Sequence, residues 1–276
     1  MTRDPGLDMH ALRGLRPSPR DLDLIRARIQ AHLDTADGYV AVSGGKDSLV
    51  TLHLARQVDP DVPVVFFDSG FEYPETYQYL ADLADRWQLN LDVIPARYTT
   101  LEVLTATGAW DHHAPHPATV PDLHRILITE PATRAHALYG PGELWGVRAA
   151  ESRGRAAAYA NALRATPCPC RPPCTGRQAR ARHGGVIRRV DGTTAYGPVW
   201  DWKTDEIWAY IARHHLPVNP VYPKLARLGA PEHALRISHM LDAGRLEEGR
   251  VTWLRRGWPA LFEEIATLLP RIREYV

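Results

Sequence analysis

Cysteine is scarce in this 276-residue chain: there are three, an odd number, all between Cys168 and Cys174. A disulfide framework needs paired cysteines spread along the chain, so both the count and the crowding argue against one. No stretch approaches the roughly 18 consecutive apolar residues of a helical membrane span. Met1 to Arg20 is polar, rich in Arg and Pro, and lacks the apolar centre of a secretory signal. The expected compartment is therefore the cytoplasm, with no membrane partner. Neither sign of charge is in excess, because 33 basic against 32 acidic residues leave a net charge of +1, and bulk charge nominates no partner. Apolar residues are not lacking. At 45% they allow a sizeable core and make disorder a poor default. No internal repeat is visible.

What is present alternates. Leu24, Ile25, Ile29 and Leu33 recur at helical spacing after a loose leader over residues 1–20. Gly38–Val42 reads as a strand, and a helix follows from Ser48 with Leu49, Leu52 and Ala55 buried. Val62–Phe67 is a compact apolar run suited to a strand buried on both faces, and Pro74 opens the next helix. Leu91–Ile94, Glu143–Val147 and Tyr196–Trp200 are further strands, with a helix over 151–163 and another after Thr204, which can cap it. Alternating strands and helices of this kind predict an α/β fold with a doubly wound, mostly parallel sheet. The expected organisation is a leader and helix over 1–35, a nucleotide-binding domain over 36–225, and a helical C-terminal extension over 226–276. Residues 165–193, rich in Pro, Cys, Arg and Gly, read as a looped insertion. Periodicity is weak between Arg97 and Pro141, and His112, His113 and His116 beside Asp111 read as a polar loop.

The sharpest signal is Ser43-Gly44-Gly45-Lys46-Asp47-Ser48, between a strand and a helix. Glycines let the backbone approach an anion. Free N–H groups at the helix start, with the helix dipole, attract phosphate. Lys46 adds a full charge, Ser43 and Ser48 add hydroxyls, and Asp47 is a candidate Mg²⁺ ligand. The spacing is not that of a Walker A loop.

With Asp68-Ser69-Gly70-Phe71-Glu72-Tyr73-Pro74-Glu75-Thr76, Gly146-Val147-Arg148-Ala149-Ala150-Glu151-Ser152-Arg153 and Pro198-Val199-Trp200-Asp201-Trp202, this loop resembles the PP-loop ATP pyrophosphatases, and within them the phosphoadenosine phosphosulfate (PAPS) reductase family. The resemblance runs over residues 36–225. It implies that Ser43, Gly44, Gly45, Lys46, Asp47 and Ser48 hold phosphates, with Asp68, Ser69 and Gly146 also lining the nucleotide site. Arg148 and Arg153 are implied at the phosphates or an anionic second substrate, and ATP with Mg²⁺ as cofactors. Trp200 and Trp202 read as packing residues.

Reductases of the family use a cysteine near the C-terminus and tend to have a degenerate phosphate loop. Here no cysteine follows Cys174 and the loop is intact. The expectation is therefore ATP cleavage between the α and β phosphates, adenylylating an unknown acceptor in sulfur metabolism or sulfur transfer. The alternatives are a PAPS or APS reductase using the 168–174 cysteines, and a non-catalytic nucleotide-binding accessory subunit.

Cys168, Cys170 and Cys174 crowd into seven residues. They are candidate ligands for Zn²⁺, with His183 as a fourth, or for an iron–sulfur cluster. Thiol chemistry and an inert loop are the other readings. From Ser152 to Val190 there are nine arginines and no acidic residue. That segment, 153–189, is a candidate contact for nucleic-acid phosphates or a basic lid, without aromatic residues after Tyr159 to stack bases. A homo-oligomer is compatible with all of this.

Overall fold

The computed structural model describes residues 8–15, 19–108, 122–168, 170–176, 180–237 and 250–276. Its strands are β1 (Gly38–Val42), β2 (Val64–Asp68), β3 (Leu91–Pro95), β4 (Gly142–Trp145), β5 (Val186–Arg188) and β6 (Thr194–Tyr196). They form one sheet in the order β3-β2-β1-β4-β6-β5, parallel except for β5, which pairs antiparallel with β6 at the edge.

Strand alternation sends side chains to two different layers. Val40 and Val42 enter the larger core with Val64, Phe66 and Leu144. Tyr39 joins Val65, Ile94 and Ala135 on the opposite face, against Ala41, Phe67 and Tyr139. Helices cover both faces: α1 (Met9–Gly14), α2 (Leu22–Thr35), α3 (Lys46–Arg56), α4 (Pro74–Trp87), α5 (Thr100–Thr107), α6 (Glu130–Tyr139), α7 (Arg153–Ala165), α8 (Thr204–Arg213) and α9 (Val221–Arg227). The sheet is thus doubly wound, as its apolar runs implied. The helical C-terminal region, α10 (Arg250–Gly257) and α11 (Pro259–Leu268), buries Leu254, Phe262 and Ile265 in the same large core that holds Ile29 of α2.

β1 has β2 on one side and β4 on the other, with Val40 opposite both Val64 and Leu144. The strand order therefore reverses at β1. In an open parallel sheet this leaves a crevice past the carboxyl ends of the central strands.

The structure differs from the sequence reading at several points. The 165–193 insertion contains β5, whose three residues are too short to carry a period. The leader contains α1, because Met9, Leu12 and Leu15 pack on the core. Arg20 then forms ion pairs with Glu206 at 2.6 Å and Asp201 at 3.0 Å. The blurred stretch forms α5, capped by Thr99 and Glu102, and α6 after a π turn over Arg125–Thr129. Asp111, His112, His113 and His116 lie outside the described residues. The last parallel strand stops at Tyr196 because Gly197–Trp200 folds into a turn, closed by the Trp200 N–H on the Gly197 carbonyl at 3.1 Å. The cap of α8 is Lys203 rather than Thr204, and its N–H is held by the Glu206 carboxylate at 2.6 Å.

Candidate functional site

The loop Ser43–Gly45 leaves β1 at the reversal point and runs directly into α3, which starts at Lys46. Gly44 has φ +72°, a left-handed conformation that favours glycine, and a Cβ there would meet the Thr76 methyl at 3.0 Å. The cap of α3, Gly45, has no side chain to accept from the first turn. The amides of Gly44, Gly45 and Asp47 make no hydrogen bond among the described residues. Unpartnered N–H groups at the positive end of a helix favour an anion.

Hydroxyls brace the turn from within. Ser48 Oγ donates to the Gly45 carbonyl at 3.0 Å and accepts the Ser43 N–H at 3.2 Å, with Ser43 Oγ 3.3 Å away. Other bracing comes from residues distant in sequence. Asn219 Nδ2 donates to Thr76 Oγ1 at 3.1 Å and to the Gly44 carbonyl at 3.3 Å, while Tyr222 Oη accepts the Lys46 N–H at 3.1 Å. Asn219 and Tyr222 carried no signal in the sequence. They become part of the site only because α9 packs over the loop.

The charges are linked in a chain. Asp47 Oδ2 pairs with Lys46 Nζ at 2.8 Å, and Asp47 Oδ1 with Arg148 Nε at 2.6 Å. Arg148 is 4% exposed, and its Nη1 donates to the Trp202 carbonyl at 3.2 Å and Thr204 Oγ1 at 3.4 Å. Its side chain therefore turns inward as a strut beneath α3. Asp47, the expected Mg²⁺ ligand, already faces two cations. A metal ion on the same carboxylate would meet their repulsion, so this arrangement does not fit Mg²⁺ on Asp47. Gly146, at the end of β4, lies so close to α3 that a Cβ would meet the Ser48 nitrogen at 2.4 Å. That glycine lets Arg148 reach Asp47. Arg153 is exposed at the start of α7, and the Glu151 carboxylate pairs with Arg155 instead.

Past β2, Asp68 accepts the Gly70 N–H and the Tyr77 hydroxyl, both at 2.8 Å. Ser69 donates to Glu72 at 2.9 Å. Burial, with Asp68 close by, pushes the Glu72 carboxyl up to about 7. Its ordinary value is 4.5, so the unfolded chain loses this proton first, and stability falls as pH rises from about 4.5 to about 7. Glu72→Gln is expected to remove that decline, checked by urea unfolding at several pH values. A slope identical to that of the unaltered protein would refute it.

A second constellation forms at the insertion. Cys170 Sγ is 3.3 Å and Cys174 Sγ 3.4 Å from His183 Nε2, and the Cys174 N–H points at Cys168 Sγ at 3.3 Å. Backbone N–H donation from Cys174 and Cys170 lowers the Cys168 thiol to about 6. Hydrogen bonding to the Cys168 and Cys170 sulfurs raises Cys174 to about 11. The anticipated fourth partner, His183, is thus brought to the three cysteines.

Several arginines of the basic segment have internal partners. Arg180 donates to the Leu163 and Thr166 carbonyls, and Arg189 pairs with buried Glu143 at 2.6 Å beside the Trp145 ring.

Sheet order and the glycine turn at its reversal point together define an α/β protein of nucleotide-binding architecture. Residues 38–230 match the family model described as "Phosphoadenosine phosphosulfate reductase domain", and the chain belongs to that family. The phosphoadenosine 5'-phosphosulfate reductase of Xanthomonas campestris pv. campestris (strain B100) is 28% identical over 223 residues, covering 75% of this chain and 79% of that protein. That of Serratia proteamaculans (strain 568) is 27% identical over 200 residues, covering 71% and 70%. Among solved structures, PAPS reductase from Candida auris in a phosphate complex aligns with a TM-score of 0.47 and 20% identity, covering 78% of this chain and 94% of the other. The NH3-dependent NAD synthetase of Campylobacter jejuni aligns with a TM-score of 0.44 and 15% identity, covering 97% and 94%. No helix among the described residues is long and apolar enough to cross a membrane.

Proposed function

We propose that the chain binds ATP at Ser43–Ser48 and cleaves it between the α and β phosphates, adenylylating an acceptor in sulfur metabolism or sulfur transfer. The observation that carries this reading is the turn itself, with three unpartnered amides beside a lysine held by Asp47, which Arg148 holds in turn. The acceptor oxygen attacks the α-phosphorus, the bond from that phosphorus to the bridging oxygen breaks, and pyrophosphate departs with the electron pair. Charge grows on the leaving group, and in this reading Lys46 with the loop amides supplies the fixed positive charge that stabilises it. Arg148 is a positioning residue: it fixes Asp47, which fixes Lys46. Arg153, exposed at the start of α7, is the candidate for contact with an anionic second substrate. Asp68 and Ser69, past β2, flank the position proposed for the adenosine.

One experiment separates the readings of the same site. The purified chain is given ATP, Mg²⁺ and candidate acceptors and assayed for pyrophosphate, and separately PAPS with reduced thioredoxin and assayed for sulfite. Pyrophosphate without sulfite is the expected result. Sulfite release would overturn it in favour of the reductase reading, and ATP binding without turnover would favour the accessory subunit.

A further inference from the structure

The sequence joining α7 to β5, residues 166–185, contains no Val, Ile, Leu, Met or aromatic residue. In sequence Pro169, Arg171, Pro172 and Pro173 separate its cysteines, and it is exposed at Arg171, Pro172, Pro173, Thr175 and Gly176. Such a stretch has little apolar area to bury, and burial is what would ordinarily offset its ordering entropy. Yet it brings four donor groups inward. Cys168, Cys170, Cys174 and His183 are all half-buried, and their ligand atoms lie within 4.8 Å of one another. Free thiols with no common partner have no reason to converge around an imidazole.

From this convergence we infer that Cys168 Sγ, Cys170 Sγ, Cys174 Sγ and His183 Nε2 form a structural site for one Zn²⁺ ion. With Zn–S of about 2.3 Å and Zn–N of about 2.0 Å, a tetrahedral centre places its N and S donors about 3.5 Å apart. The Cys170–His183 and Cys174–His183 separations of 3.3 and 3.4 Å agree. An iron–sulfur cluster distributes its thiolates over two or more irons and needs them further apart than the ligands of one ion. Three thiolates with one imidazole also match the soft and borderline donors that zinc accepts. The Cys174 N–H directed at Cys168 Sγ is the kind of backbone contact that holds a ligating thiolate in place. All four positions are protein donors, which makes the site closed and structural instead of catalytic.

The geometry also shows what the ion would hold. Immediately after His183, Gly184 and Gly185 press on the Trp200 ring, where a Cβ would meet ring atoms at 2.4 and 2.6 Å. The Gly184 carbonyl accepts from Arg28, and the Trp200 carbonyl accepts the Ala149 N–H at 2.8 Å. Ala149 follows Arg148, the strut of the phosphate loop. The ion would therefore tie the insertion to the turn that carries Arg148, and it would withhold all three thiols from sulfur chemistry.

The inference does not rest on the proposed ATP reaction, and its test reads metal directly. The full chain, purified without chelator and under reducing conditions, is analysed by mass spectrometry for zinc and iron. About one zinc per chain is expected, with Cys170→Ser and His183→Ala each lowering it at least tenfold. Because a variant can fail to fold, His183→Cys serves as a second arm and should retain zinc through four thiolates. Apo protein titrated with Co²⁺ should develop the intense visible bands of tetrahedral thiolate coordination. Iron with acid-labile sulfide, or zinc below about a tenth of an equivalent together with no Co²⁺ bands, would overturn the site.

Discussion

Arg148→Met is expected to destabilise the folded chain by about 3 kcal/mol, the lower part of the range for breaking a buried ion pair. The reason is the position of Asp47. Its Oδ1 lies 2.6 Å from Arg148 Nε with both groups almost fully buried, so removing the guanidinium leaves a carboxylate oxygen without its cation and out of reach of water. Lys46 still holds the other oxygen at 2.8 Å, which limits the loss. Met fills much of the vacated volume, so the cavity contribution stays small. Urea unfolding at pH 7 measures the difference. Pairing the change with Asp47→Asn should recover much of the loss, because the uncompensated charge goes with it. A cost below about 1 kcal/mol for Arg148→Met would show that this pair does not support the loop.

Lys46→Ala is expected to reverse that balance, with a small effect on folding and a large one on chemistry. Arg148 keeps Asp47 paired, so the stability cost should be about 1.5 kcal/mol, the low end for one hydrogen bond to a charged group. Pyrophosphate release should fall about 100-fold or more, the usual consequence of deleting one fixed donor at developing negative charge. Lys46→Arg should not restore the rate, because a planar guanidinium cannot occupy the space of an ammonium between Asp47 and the turn. Calorimetric titration with ATP and a pyrophosphate assay on the same preparation separate binding from turnover. Unchanged affinity and unchanged rate in Lys46→Ala would remove the phosphate loop from the proposed chemistry.

Much of the architecture was legible because it depends on local pattern. Gly38–Val42 is short and β-favouring, Val62–Phe67 is apolar enough to be buried on both faces, and a strand of the latter kind needs a parallel sheet between helical layers. The helix after Pro74 follows from the fixed φ of proline at a first turn and from Tyr77, Leu80, Ala84 and Trp87 at helical spacing, although the face it buries carries Tyr79, Leu80 and Leu83. Short or interrupted segments were not legible. β5 has three residues, and α1 has six, held by contacts to a core that sequence neighbours do not reveal.

The sequence by itself determined the glycine turn, the lysine within it, the alternation of its longer strands with helices, and the crowding of Cys168, Cys170 and Cys174. Each is encoded within a few residues, by backbone freedom, charge or spacing. Only the tertiary structure decided that Arg148 faces Asp47, that Asn219 and Tyr222 hold the loop from about 175 residues away, and that His183 meets the cysteines. Those contacts depend on how distant elements pack. Burial fixes which partner a charge or a thiol finds, and no local pattern records that choice.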